Sequence, residues 1–140
     1  TFRAMAGLNR LNLVTVPKAA SDTDHMLPAV AQGAIGIERR VEDFDVAEML
    51  EAIHHKATGQ RLAAERAFLA ELDGSCQTPI AGLAELDGDT LRLRGEVLRP
   101  DGSNCLADEA SGATADGPEI GKAMARRLLD RAGTGFFDWH

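Results

Sequence analysis

Apolar and polar residues alternate most regularly between residues 90 and 99, with the period of two that is typical of a β-strand. The apolar positions of this stretch are Leu91, Leu93, Gly95 and Val97. Turn signals precede it at Asp87-Gly88 and follow it at Pro100-Asp101-Gly102, which is the spacing of β-hairpins. The pattern predicts a three-stranded antiparallel meander, with strands near residues 79–86, 90–99 and 103–110.

Apolar residues at helical spacing flank these strands on both sides. Before them, a helix capped by Thr58 continues to Leu72, and Gly74 stands where a left-handed helix end is expected. After them, residues 112–117 are predicted to form a loop, and a helix begins at Pro118 and ends at Gly133. The order of helix, three strands and helix predicts an α+β domain whose sheet is covered by helices on one face.

The first part of the chain has a different pattern. Residues 2–11 predict a helix, and residues 13–16 predict a short strand that stops before Pro17. Residues 26–37 are uncharged and rich in small apolar residues, which is typical of a buried strand that another segment approaches closely. A further helix follows from Asp43, with Asp43 or Asp45 as its cap. Its predicted apolar face consists of Val46, Met49, Leu50 and Ile53.

Charge and composition restrict the possible partners. The formal net charge is −7 and aromatic residues make up 4%, whereas nucleic-acid binding usually needs clustered basic residues or stacking aromatics. We therefore expect no nucleic-acid partner. No apolar run approaches the ~20 residues that span a bilayer, so we expect no membrane segment. Two cysteines are too few for a disulfide scaffold, which makes a reducing compartment, the cytoplasm, the simpler expectation.

Few side chains are candidates for chemistry. Cys76 lies in a loop between a helix and a strand, where a thiol is either a reactive group or a small buried residue of a tight turn. Cys105 lies in an alternating strand and is predicted to pack there. The four histidines lack the spacing of metal ligands, so we expect them at the surface or at helix ends and expect no metal site.

The apolar run of residues 26–37 contains one polar side chain, Gln32. A buried amide needs a partner, so Gln32 either faces a ligand cleft or caps a neighbouring strand. The glycines Gly33 and Gly36 are expected to allow close packing of the backbone.

Three segments together resemble the carboxyl-terminal part of the hydroxymethylbilane synthases, also called porphobilinogen deaminases. They are residues 27–38 (LPAVAQGAIGIE), 58–67 (TGQRLAAERA) and 72–80 (LDGSCQTPI). Their order and spacing, with the hairpins that follow, match the family along nearly the whole chain. Ala31 and Ser75 depart from the family pattern, in which glycine is expected or frequent at these positions.

The resemblance implies that the parent enzyme is a transferase of porphyrin and heme biosynthesis. It would polymerise four porphobilinogen units into the linear tetrapyrrole hydroxymethylbilane and release ammonia. Cys76 would anchor a dipyrromethane cofactor through a thioether, and Gln32 and Gly33 would lie near this cofactor. A thiol suits this role because loss of ammonia from porphobilinogen leaves an electrophilic carbon, and thiolate is a strong nucleophile.

The resemblance also implies a division of the chain. Residues 1–27 would finish a second domain, and residues 28–53 would form a hinge with a strand and helix returning to the first domain. These two stretches would be a helix-strand-strand-helix remnant of two periplasmic-binding-protein-like α/β domains, so we expect the chain to start in the middle of an element. Residues 54–140 would form the cofactor-anchoring domain.

The family's catalytic aspartate and arginine cluster lie in the N-terminal domains that the chain lacks. We therefore expect no catalytic residue in this chain and no activity of the chain alone. The alternative, of another class, is a non-catalytic α+β binding or interaction module in which Cys76 is structural.

Overall fold

The computed structural model of the chain describes residues 4–13, 15–16, 18–73 and 78–136. Two short helices occupy the first part of the chain, α1 (Met5–Arg10) and α2 (Phe44–Glu51). The second part contains helix α3 (Lys56–Glu71), a three-stranded sheet and helix α4 (Gly117–Ala132). The strands are β1 (Ile80–Asp87), β2 (Thr90–Leu98) and β3 (Cys105–Ala113).

The sheet confirms the predicted antiparallel meander, with β2 between β1 and β3. Residue Val97 of β2 pairs with Ile80 on one side and with Leu106 on the other. Strand β3 continues to Ala113, because Thr90 still pairs there, and a 3-10 turn at Thr114–Asp116 leads directly into α4. The predicted loop at residues 112–117 is therefore wrong.

Helices α3 and α4 pack on one face of the sheet, as the pattern predicts, and enclose the core between the two layers. The largest fully buried side chains are Phe68, Leu91, Leu93, Met124, Leu128 and Val97. The two helices touch at Gly121, where a Cβ atom would lie 2.4 Å from the carbonyl oxygen of Ala64. Only glycine permits this separation of the two backbones.

The helix ends show which predicted caps are correct. Asp43 caps α2 by accepting a hydrogen bond from the N–H of Val46, and Gly133, with φ +67, follows the last residue of α4. The predicted cap Thr58 is wrong: α3 begins earlier, and the ring of His55 accepts from the N–H of Thr58 instead. Gly74, the predicted end of α3, lies outside the described residues.

The strand predicted over residues 26–37 is wrong. Only Ala29 makes a bridge, with Ala81 of β1, and the chain then turns through residues 30–33. Ala31 and Gly33 have φ angles of 62° and 76°, which a strand cannot accommodate. Ile35 is 96% exposed, because no described segment covers the residues that follow the turn. Among the described residues, no atom lies within 4 Å of a Cβ position at Gly33 or Gly36, so the close packing expected at these glycines is not seen there.

The other predicted elements of the first part are correct only in part. Helix α1 confirms the predicted helix, whereas residues 13, 15 and 16 are not in a strand, and Val14 lies outside the described residues. Helix α2 confirms the helix after Asp43, but its predicted apolar face is covered only in part by the described residues. Val46 and Leu50 are half-buried, whereas Met49 is 72% exposed and Ile53, beyond the end of the helix, 69%.

The two outer edges of the sheet differ. Along β1, the N–H of Gly82 donates to the carbonyl oxygen of Pro28, so residues 28–29 extend the sheet briefly. Along β3, no described strand pairs with the outer edge. Side chains of α4 reach the backbone and side chains of β3 instead: Arg131 donates to the carbonyl oxygen of Ala107 at 2.8 Å, and Arg127 pairs with Asp108.

Candidate functional site

The predicted anchor, Cys76, lies outside the described residues, but both ends of its loop are described. The loop leaves α3 at Asp73, which is exposed and has a left-handed φ of 52°, and it returns to the sheet through Thr78. The residues on either side of this loop, Leu72 and Ile80, belong to the core and are only 5% and 8% exposed. The core therefore fixes both ends of the loop that carries Cys76.

The end of the sheet beside this loop contacts the residues that follow α4. Pro79 accepts a hydrogen bond from the N–H of Leu98. The next residue, Arg99, places its guanidinium 5.5 Å from the ring centre of Phe136 and donates to the carbonyl oxygen of Gly135. These contacts hold the β2–β3 hairpin end against the residues that follow α4.

Cys105 pairs with Leu98 at this same sheet end and is an exposed free thiol. The prediction that it packs within the strand is therefore wrong, because it is the first residue of an edge strand and its side chain faces solvent. Partial burial nevertheless raises the pKa of the Cys105 thiol, and the charge of Glu96 raises this pKa further. The thiolate form is disfavoured here.

Gln32 and Gly33 lie in the turn at residues 30–33, and both are exposed. Gln32 lines an open cavity of about 1250 Å³, whose other lining residues lie in the ranges 4–13, 15–16 and 18–21 together with Met26 and Pro28. Most of its lining is apolar, and Lys18 is the one charged residue among the lining residues of the described chain. The two alternatives for Gln32 started from a buried amide, whereas Gln32 is exposed at the edge of this cavity, so its role near a ligand stays a prediction.

Sequence reasoning assigned no role to Glu65, which is only 6% exposed and is the buried charged residue of the described chain. Its Oε2 atom accepts a hydrogen bond from the N–H of Ala31, and its Oε1 atom accepts one from the N–H of Ala84, both at 2.8 Å. A signal existed in the sequence, since Glu65 lies three residues before Phe68 and thus on the apolar side of α3.

The face of the sheet that points away from α3 and α4 carries a network of charges. Arg94 pairs with Glu85 of β1 and with Asp24, and this pairing attaches the loop around Asp24 to the sheet. Arg92 pairs with Glu109 of β3 at 2.7 Å, and this contact lowers the pKa of the Glu109 carboxyl. This face therefore presents carboxylates that are already neutralised by arginines.

The histidines and basic pairs give no further site within the described ranges. His54 and His55 are exposed between α2 and α3, and His140 lies outside those ranges. Within the described ranges, no group of three or more histidine, cysteine, aspartate or glutamate side chains could hold a metal ion. Arg126 pairs with Glu71. No helix in the described part of the chain is both long and apolar enough to cross a membrane.

Two separate stretches of the chain match models of the same protein family. Residues 60–130 match the family described as "Porphobilinogen deaminase, C-terminal domain", and residues 1–48 match "Porphobilinogen deaminase, dipyromethane cofactor binding domain". A porphobilinogen deaminase of Paracoccus denitrificans is 59% identical over 139 residues, which are 99% of this chain and 44% of the relative. Another, of Nitrobacter hamburgensis, is 45% identical over 137 residues, 98% of this chain and 43% of that relative. The chain thus spans less than half the length of these relatives.

Proposed function

Because this chain belongs to the porphobilinogen deaminase family, we propose that it is the carboxyl-terminal part of a hydroxymethylbilane synthase. The parent enzyme would join four porphobilinogen units into hydroxymethylbilane, with release of ammonia, in porphyrin and heme biosynthesis. The observation that carries the proposal is the match over residues 60–130, the stretch in which α3, the meander and α4 form one packed unit. We place this activity in the cytoplasm, as expected for a chain without a disulfide framework.

We further propose that Cys76 is the covalent anchor of a dipyrromethane cofactor. The described surroundings fit this role, because the loop leaves α3 at an exposed residue while Leu72 and Ile80 hold its ends in the core. The thiol of Cys76 would lose its proton, and its sulfur would bond to the carbon that ammonia leaves. A thioether resists hydrolysis, so the residue serves as an anchor and not as a nucleophile of each turnover. When attached, the cofactor supplies the pyrrole end to which new units are added.

Gln32 and Gly33 are proposed to lie near the cofactor, as the family resemblance implies. Two observations support this assignment for Gln32: its side chain is exposed, and it lines the open cavity of about 1250 Å³. Gly33 supports the turn that presents Gln32, since its φ of +76° is a conformation that glycine adopts at little cost.

The division of the chain is part of the same proposal. Residues 1–27 and 28–53 would belong to the first two domains of the parent, and residues 54–140 would form the anchoring domain. Two exposed apolar side chains of α2 support this division, because a partner domain would cover Phe44 and Met49, which are 74% and 72% exposed.

The first experiment is the intact mass of the purified parent enzyme, followed by peptide mapping around Cys76. We expect a mass excess of two linked pyrrole units on the peptide that contains Cys76. The Cys76→Ser variant should lose this excess together with deaminase activity, whereas the matched variant Cys105→Ser should retain both. Full activity of Cys76→Ser would refute the anchor role and favour a binding module in which Cys76 is structural.

The 140-residue chain alone should not consume porphobilinogen. The substrate carries carboxylates, while the chain has a net charge of −7 and its arginines Arg92, Arg94, Arg126 and Arg127 are already paired with carboxylates. The basic and catalytic residues would come from the preceding domains. Steady release of ammonia by the purified chain would contradict this prediction.

A further inference from the structure

We propose that Glu65 is a positioning residue that fixes the turn at residues 30–33 relative to α3 and β1, the two elements that flank the loop of Cys76 in the sequence. This inference rests on the proposed function, because it concerns how Gln32 and the anchored cofactor are held together. It adds a residue to which neither the sequence pattern nor the family resemblance assigned a role.

The carboxylate of Glu65 joins three segments of the chain. It belongs to α3, which ends six residues later at Glu71, about 9 Å further along the helix and shortly before the loop of Cys76. Its Oε1 atom accepts from Ala84 in β1, the strand that begins after the Cys76 loop. Its Oε2 atom accepts from Ala31, directly before Gln32. One side chain thus contacts the turn and both elements that flank the anchor loop.

The outer edge of β1 explains why the N–H of Ala84 needs an acceptor from a side chain. The backbone of residues 28–29 pairs with the outer edge of β1, where Gly82 donates to the carbonyl oxygen of Pro28 at 3.0 Å. The chain then turns away, so the next outward N–H of β1, that of Ala84, has no backbone acceptor among the described residues on this side. A buried N–H without an acceptor is strongly disfavoured, and Glu65 supplies the missing oxygen.

The hydrogen bond from the N–H of Ala31 to Glu65 holds a backbone conformation that is unfavourable by itself. Ala31 has a φ of 62°, which is unfavourable for a residue with a Cβ atom. The bond from its N–H to Glu65 fixes this residue, and through it the direction in which exposed Gln32 leaves the turn. Loss of the bond should therefore release the turn while the core of the domain stays intact.

The test uses the Glu65→Gln variant of the parent enzyme. Glutamine has nearly the same size, but its NH₂ group replaces one of the two accepting oxygens, so one N–H loses its partner. We expect the cofactor mass on Cys76 to remain. We expect kcat to fall about tenfold to a hundredfold, which is the loss that a misplaced reacting group can cause. KM should change less than kcat, and amide exchange at Ala31 should become about tenfold faster or more.

The matched control is Phe68→Leu, a change in the core on the same helix that leaves both bonds of Glu65 in place. We expect this variant to be less stable to urea but to keep the kcat of the wild-type enzyme. An equal loss of kcat in Phe68→Leu would show that Glu65 acts only through stability, and it would overturn the proposal. Wild-type kcat in Glu65→Gln would also overturn it.

A measurement on the wild-type enzyme covers the case in which Glu65→Gln does not fold. The amide of Ala31 should exchange about tenfold or more slowly than that of its exposed neighbour Gln32. Equal exchange of the two amides in an active, cofactor-bearing enzyme would refute the positioning role and leave the proposed function standing. An inactive wild-type enzyme with an unmodified Cys76 would instead refute the proposed function, and this inference with it.

Discussion

The Gly121→Ala substitution tests the close contact between α3 and α4, which carries much of the packing of the domain. An added Cβ would lie 2.4 Å from the carbonyl oxygen of Ala64 and 2.9 Å from the backbone nitrogen of Phe68. Both neighbours are backbone atoms of a helix, so no side chain can rotate to make room. The helices would have to separate by about 1 Å to restore ordinary contact.

The expected change in the free energy of unfolding of Gly121→Ala follows from two opposing effects. Overpacking of a core usually costs about 1–3 kcal/mol, and we take about 3 kcal/mol because backbone resists the shift. Alanine gains about 1 kcal/mol over glycine in a helix interior. The free energy of unfolding should therefore fall by about 2 kcal/mol, measured on the 140-residue chain from urea unfolding followed by circular dichroism.

Gly59→Ala in α3 is the matched control for helix propensity. The three atoms nearest to a Cβ there all belong to the ring of His54, the first at 2.7 Å, and this exposed side chain can move aside. The control should be neutral or more stable by up to about 1 kcal/mol. A Gly121→Ala variant as stable as the wild-type chain would refute the close approach of α3 and α4, and equal losses in both variants would show that helix contact is not the cause.

Three further outcomes are expected. Phe68→Ala, at a fully buried site, should lower the free energy of unfolding by about 3–5 kcal/mol, and a loss below about 1 kcal/mol would contradict the core described above. Alkylation of Cys105, followed by peptide mapping, should reach half its maximal rate at a pH above that of a model thiol, because burial raises its pKa; a lower midpoint would speak against this. Arg92 lowers the pKa of Glu109, so this carboxylate stabilises the fold above its unfolded-state pKa, and the stabilisation is lost as pH falls through its folded-state pKa. Glu109→Gln should therefore lose less stability to urea between pH 7 and pH 3, and an unchanged pH dependence would count against the pair.

The sheet and its two helices could be predicted because their signals are local. Alternation along β2 and the Asp-Gly turn before it fix the hairpins within a few residues, and Gly133 marks the end of α4 in the sequence itself. The limits of β3 were missed, since the pairing of Ala113 with Thr90 depends on the partner strand. The start of α3 was missed because the imidazole of His55 took the capping role expected of Thr58.

The site was harder to predict, because its contacts join distant parts of the chain. The apolar composition of residues 26–37 indicates burial, but a strand also needs a hydrogen-bonding partner, and the chain turns away from β1 after Ala29. The bonds of Glu65 span 34 and 19 residues, so no short motif contains them. The sequence alone marks Glu65 only as a charge on an apolar helix face. Cys76 itself rests on the family resemblance.

The uncovered edge of β3 has a consequence for how copies of this domain behave in solution. An open sheet edge offers backbone donors and acceptors to any other strand, including the same strand of a second molecule. Here Arg131 donates from the side of α4 to the carbonyl oxygen of Ala107, and Arg127 of the same helix pairs with the neighbouring Asp108. A second copy that added a strand at Ala107 would have to displace Arg131 from this carbonyl oxygen. The contacts of α4 therefore disfavour strand addition at this point of the edge, while the opposite edge is paired with residues 28–29.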